Sequence, residues 1–384
     1  MTGMSLSSSF LPIMANNLDP SEVLVGLVVS AWFFSRIFIE IPAGIISDRV
    51  GRSKLLVFGL ALSFFGPVAC SQANHIYILI FGRAIWGMGT ALYFMSNMAL
   101  LMDILPAVSR GKALGIFQGF EFIGSFIGAP IGAILATYIS FTEVFYVTSF
   151  FTLVSFVVAY KSKNIRTLKN EHKSEKLNLR DILKYVQDLN ILIVCMCNLF
   201  RMFTRQGIYQ TVLQLYLNQT LGLSITDIGW VMSMRVAGMM LFLFLAGSLS
   251  DRYGRKNVLI AGNLIGGVAL YFFSWADGFY LLIFSGFLAG VGDAFGMTTL
   301  LALLSDIAPS TARGVVVGFF RTFQDIGGFL GPILFMLVFK SFNSSATFYL
   351  GILLSFINIL LVAMVKPVNV SLAHTNESPI SSTS

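Results

Sequence analysis

Long apolar runs, each near the length that crosses a bilayer and each parted from the next by a short polar break, restrict this chain more than any other feature. A helix needs about 20 apolar residues to span the hydrocarbon core. The sequence predicts twelve such runs, at 1–16, 22–46, 54–72, 75–103, 111–139, 143–160, 189–218, 225–249, 257–276, 279–306, 313–340 and 345–365. They are too long for membrane β-strands, which alternate over about ten residues. A chain that is 56% hydrophobic and 11% charged is no water-soluble domain. The expected class is all-α integral membrane, with the lipid bilayer as its first partner. The run at 1–16 is incomplete, because Ser5, Ser7, Ser8 and Ser9 dilute it. It reads as a half-helix or as the remainder of a span that begins upstream; a cleaved signal peptide would want a basic segment before it.

The charge distribution orients these runs. Of the 25 Lys and Arg, 18 fall in breaks on one side, one (Lys340) lies near the other side, and six lie inside runs. Breaks on the other side carry Asp19, Glu22, Glu143, Asp227 and Asp277. The positive-inside rule then places both termini in the cytoplasm, in a multi-pass protein of the cell membrane. This accounts for the net charge of +7 without a nucleic-acid partner.

One break recurs. Residues 44–54, GIISDRVGRSK, return 203 positions later as residues 247–257, GSLSDRYGRKN. Glycine lets the backbone reverse sharply, arginine meets lipid phosphate, and the acid lies where a carboxylate would favour the N-terminus of the following helix. This turn resembles the signature of the major facilitator superfamily, found between its second and third spans and again between the eighth and ninth. The resemblance covers essentially the chain after about residue 20. It implies two parallel-repeat six-helix bundles around a central cavity that alternates its access. It also implies a conformational switch built from Gly44, Asp48, Arg49, Gly51 and Arg52, with Gly247, Asp251, Arg252, Gly254 and Arg255 as the second copy. As plain solvated charges the same residues would still set topology.

The repeat extends further. At the same offset Asp103 meets Asp306, Arg110 meets Arg313, and Gly111, Gly115, Gly124 and Gly128 meet Gly314, Gly318, Gly327 and Gly331. The expected division is a first bundle over 1–160, a cytoplasmic linker over 161–188 with a short amphipathic helix or a plain tether, a second bundle over 189–366, and a disordered tail over 367–384. Gly124, Gly128 and Gly132 leave one helix face nearly bare for close packing, as do Gly327 and Gly331. With Pro130 and the adjacent pair Gly331-Pro332 they are similar to the superfamily's fifth-span motif of exporters, although Ala129 parts Gly128 from Pro130.

Charges inside the spans are functional hypotheses by default, with internal structural pairing as the alternative. Arg36 and Glu40 share a helix face in the second run. Asn198, Arg201, Arg205 and Tyr209 form a polar stripe in the seventh, to which Arg235 and Arg321 add cavity candidates. Arg83 matches the family's fourth-span arginine, which is tied to proton coupling, and Glu121, Asp293 and Asp325 are the carboxylates that could carry the proton. Six arginines against Glu40, Glu121, Asp293 and Asp325 leave a formal charge of plus two. That balance suggests an organic anion or zwitterion as substrate. No catalytic, metal or cofactor constellation appears in the sequence, nor a phosphate loop for ATP. The expectation is a proton-coupled secondary transporter: a monomer that exchanges protons for an exported small organic or amphipathic compound, or takes up an organic anion with protons. A non-transporting sensor on the same fold is the remote alternative.

Overall fold

The computed structural model describes residues 2–7, 9–104, 107–162, 187–308 and 313–365. The expected linker helix and tail lie outside the described residues. Every regular element among the described residues is helical. The first half consists of α1 (Thr2–Leu6), α2 (Leu11–Leu18), α3 (Glu22–Val50), α4 (Arg52–Ser71), α5 (Ile76–Ile104), α6 (Ala107–Tyr138) and α7 (Phe141–Lys161). The second half begins with α8 (Leu189–Thr204), a π-helical stretch (Arg205–Val212), the single turn α9 (Leu213–Leu215) and a second π-helical stretch (Tyr216–Thr220). It continues as α10 (Ile225–Tyr253), α11 (Arg255–Trp275), α12 (Phe279–Ile307), α13 (Arg313–Ser341) and α14 (Ser344–Met364). Eleven helical segments among the described residues are long and apolar enough to cross a membrane, and the chain is a multi-pass membrane protein.

Boundaries follow local chemistry. Ser140 and Ser224 start α7 and α10, and the acids assigned above to the less basic side, Glu143 and Asp227, complete capping boxes with them. Asp188 and Asn343 cap α8 and α14 with their side chains alone, accepting from backbone N–H groups of the first turn. Gly51 and Gly254 break the chain between α3 and α4 and between α10 and α11 with φ of 102° and 89°. A side chain there would strain the backbone.

The beginning of the chain departs from the expectation of one incomplete span. It is two short helices, α1 and α2, joined by a turn in which Leu11 N–H bonds to Ser7 O. The pieces sit against α6 and α7: Thr148 Oγ1 donates to Gly3 O at 3.0 Å, and Ser9 Oγ donates to Ala129 O at 3.2 Å. Ser9, one of the serines that dilute the apolar run, thus finds a backbone acceptor, as a buried hydroxyl must.

Glycines set how closely the helices meet. A Cβ on Gly132 of α6 would lie 1.8 Å from Leu6 O, and Cβ atoms on Gly327 and Gly331 of α13 would lie 2.3 Å and 2.4 Å from Leu199 O and Phe203 O. The broken first span and the seventh span therefore lie on matching glycine seams. The two halves meet where α3 packs on α13 and α6 packs on α10. Cβ atoms on Gly26 and Gly229 would approach Pro332 O at 2.9 Å and Ala133 Cβ at 2.4 Å. Ser30 Oγ adds a bond to Phe329 O at 2.5 Å. This joint lies toward the end where α3 and α10 begin and α6 and α13 finish.

Candidate functional site

The structure sorts the predicted site residues into three places. The first is the repeated turn. Arg255 donates to Asp251 Oδ1, to Ser250 Oγ at 2.6 Å, and through Nε to Asp306 Oδ2 at 3.0 Å. Asp251 does not cap the following helix, as its position suggested. It ends α10, where a carboxylate meets the negative end of the dipole, and Arg255 across Gly254 compensates it. Arg252 stays apart from this network among the described residues, its guanidinium 5.5 Å from the Tyr253 ring centre. Gly247 has open space around it. In the first copy Gly51 repeats the positive φ; the surroundings of Gly44, Asp48 and Arg49 lie outside the described residues, and Arg52 begins α4.

The second place is the joint between the halves. Arg36 reaches along its own helix to Glu40 Oε1 at 2.5 Å and across to Asp325 Oδ2 of α13 at 3.3 Å, with its guanidinium 4.5 Å from the Trp32 ring centre. Asp325 Oδ1 is buried without a hydrogen-bond partner. Arg321 extends the other way, its guanidinium 4.9 Å from the ring centre of Phe94 on α5. Glu121 of α6 lies within the electrostatic reach of Arg321 and Arg36. Taken as ionised, two arginines face three acids here.

The third place is a partly open pocket inside the second half, with about 560 Å³ of non-atom space that includes open solvent. Its walls are the seventh span, α11, α12 and α14, and Arg201, Arg205, Tyr209, Asp293, Asn263 and Asn358 are among its lining. The seventh span turns three of these residues toward one point. A four-residue step overshoots a full turn of α-helix, which takes 3.6 residues. In the π-helical stretch hydrogen bonds close over five residues, as from Leu213 N–H to Ile208 O, so the same step falls short. The drift from Arg201 to Arg205 is thereby reversed between Arg205 and Tyr209.

Charge in this pocket is unbalanced. Asp293 is paired with Arg235, which is 4% exposed, lies outside the lining and places its guanidinium 4.7 Å from the Tyr209 ring centre. Arg201 and Arg205 are then in excess: Nη1 of the first and Nε of the second are buried with no hydrogen-bond partner. Asn198 does not line the pocket, contrary to its place in the polar stripe. Fully buried, it donates to Phe320 O at 3.1 Å and accepts from Arg201 Nε and Nη2 at 3.3 Å and 3.0 Å, which fixes the guanidinium.

Arg83 belongs to none of these places. It is 6% exposed, donates to Val28 O at 3.3 Å and lies over Trp86, and no carboxylate among the described residues is within ion-pair distance of it. The pairing of Arg83 with a proton-carrying acid, implied by resemblance, is therefore not made directly here. Gly124, Gly128 and Pro130 stay on α6, and Pro332 on α13. Asn263 and Asn358 were missed in the sequence, where the search weighed charges; an asparagine deep in an apolar run is the signal that would have found them.

The description "Major Facilitator Superfamily" belongs to a family model that matches residues 1–205 and again 191–381. The chain belongs to the Major Facilitator Superfamily. Among its relatives is an uncharacterised MFS-type transporter, YuxJ, of Bacillus subtilis, 29% identical over 341 residues, covering 86% of this chain and 85% of that protein. Multidrug resistance protein 2 of the same organism is 22% identical over 339 residues, covering 86% and 84%. A solved bacterial homologue of the human lysosomal transporter Spinster superposes with a TM-score of 0.79 at 14% identity, over 95% of this chain and 93% of that one. The fold is the major facilitator fold, and this superfamily member is a membrane transporter of a small molecule, not an enzyme.

Proposed function

We propose that this transporter exports a small organic compound, anionic or zwitterionic, in exchange for protons, as a monomer in the cell membrane with both termini in the cytoplasm. The observation that carries the substrate class is the pocket of the second bundle. Arg201 and Arg205 line it with unsatisfied N–H groups, while its acid, Asp293, is already held by Arg235. Two guanidinium groups suit a carboxylate or phosphate, whose planar or tetrahedral oxygens they bond in pairs.

Coupling is assigned to Glu121, Asp293 and Asp325. Arg36 bridges the joint, so parting α3 from α13 breaks its bond to Asp325 and leaves its bond to Glu40 intact. A carboxylate that exchanges an arginine for an apolar wall takes up a proton more readily. Arg83, bonded to α3 through Val28, acts on this step by positioning that helix. With cytoplasmic termini the joint closes the outer end, which makes this the inward-facing arrangement; the turn network around Asp251 and Arg255, and its first copy, would latch the opposite one.

Export is supported by the glycine–proline seams and by the named role of the multidrug resistance relative. One feature favours uptake as a second reading. An anion beside Arg201 and Arg205 offsets the positive field around Asp293, so anion and proton strengthen each other's binding, as in co-transport.

Proton movement in reconstituted vesicles of known orientation tests the proposal, with a panel of organic anions, zwitterions and amphipathic dyes. Proton flow opposite to a panel compound is expected. Flow in the same direction replaces export by uptake; flux in the parent chain that is lost in Asp48→Asn marks a transporter, whereas a compound that binds the parent chain without any flux would leave a sensor.

A further inference from the structure

The pocket of the second bundle offers more than positive charge. Asn358 of α14 is 3% exposed, and its Nδ2 donates both to Cys197 O at 3.2 Å and to Asn263 Oδ1 at 3.1 Å. Asn263 is fixed in turn, since its own Nδ2 donates to Leu259 O at 2.8 Å. This relay settles which way the Asn358 amide faces. Its Oδ1 is left as an acceptor, buried and with no hydrogen-bond partner, in a residue that lines the pocket.

The seventh span thus presents unsatisfied donors, Arg201 Nη1 and Arg205 Nε, and α14 presents an unsatisfied acceptor. Each costs free energy while empty, and a simple anion could satisfy only the first two. We infer that the ligand of this pocket is recognised at two points: a carboxylate or phosphate on Arg201 and Arg205, and an N–H or O–H donor of the same molecule on Asn358 Oδ1. The class is therefore a hydroxy or amino acid anion or a hydroxylated phosphate ester, small enough for one bundle to hold. Asn198 and Asn263 are positioning residues, the first for Arg201 and the second for Asn358. A molecule that offers the anion without the donor leaves a buried carbonyl unpaired, which is the stronger ground for rejection.

This deepens the anion reading proposed above and rests on it, so the test reads binding and leaves flux aside. The purified full chain in lipid nanodiscs is titrated calorimetrically with matched pairs: lactate and propionate, malate and succinate, glycerol 3-phosphate and propyl phosphate. In at least one pair the hydroxylated member should bind about tenfold tighter. Asn358→Leu should bring that ratio close to one while the plain anion keeps its affinity, and Asn263→Ala, which frees the amide to turn, should lower the ratio in a chain with its packing kept. Arg205→Gln should weaken both members together. Equal binding within every pair, or a ratio that survives both asparagine changes, would overturn two-point recognition while leaving the anion proposal standing. Absence of binding by every member would overturn both.

Discussion

The joint between the bundles and the charged positions beside it descend from the same repeat and have fared differently. Gly26 and Gly229 are 203 residues apart, and each seats its helix on the proline-bearing face of the opposite bundle. The charges have no such counterparts. At the same offset Arg36 corresponds to Met239, Arg235 to Trp32, Asp293 to Thr90 and Asp325 to Phe122. Close backbone contact is a demand of the fold and is made twice. The ion pairs inside the spans are not a demand of the fold, and none of them is made twice. Within the spans, where the repeat is kept it reports packing, and where it is broken it reports chemistry.

The largest effect should come from the unrepeated charges. Arg235→Leu leaves Asp293 buried without its partner, and removing one member of a buried pair costs about 3–5 kcal/mol. Thermal unfolding in detergent should show a large fall, and the double change Arg235→Leu with Asp293→Leu should recover much of it. If the double variant is as unstable as the single one, the pair is part of the fold after all and the contrast with the joint fails.

The seam glycines come next. Gly331→Val must push Phe203 O aside, and overpacking of this kind costs about 1–3 kcal/mol. Gly132→Val, against Leu6 O, should cost as much by the same thermal measurement. Unequal losses would show that the broken first span yields where the seventh does not, which would sharpen the comparison into one of rigidity.

Arg205→Gln should reduce anion affinity about tenfold with little loss of stability, since Arg205 Nε has no bond to lose. Calorimetry reads the first and thermal unfolding the second. An unaltered affinity would move the anion site from the second bundle to the joint.

The smallest effect belongs to the turn. Asp251 is 68% exposed and Arg255 25%, so Arg255→Lys should alter stability by about 0–1 kcal/mol. Its consequence should appear as a slower transport cycle in vesicles. A turn variant that destabilises as much as Arg235→Leu would mean that the surface network holds the fold together.

Most spans were legible because the bilayer imposes a length on them. The run predicted at 225–249 is the helix Ile225–Tyr253, and that at 345–365 is Ser344–Met364. The glycine seams were legible from spacing, and Arg36 with Glu40 from a four-residue step. Hidden were Gly26 and Gly229, whose partners Pro332 and Ala133 are 306 and 96 residues away, and the π-helical stretch after Thr204, for which the sequence carries no local signal. The surroundings of Arg83 and Asn198 were hidden for one reason: a polar side chain in an apolar helix needs a partner, and sequence does not say whether the partner is a cavity, a carbonyl or another side chain.

By itself the sequence determined the class, the eleven full-length spans, the repeat and the turn, because hydrocarbon thickness and backbone hydrogen bonding act on each segment separately. Tertiary structure decided how the charges were divided. Six arginines and four acids, summed along the chain, make one positive cavity; folded, they become a bridged joint, a cationic pocket and a solitary Arg83. Net charge adds along a chain without regard to order, but Coulomb energy falls with distance, and only the packing of helices sets the distances.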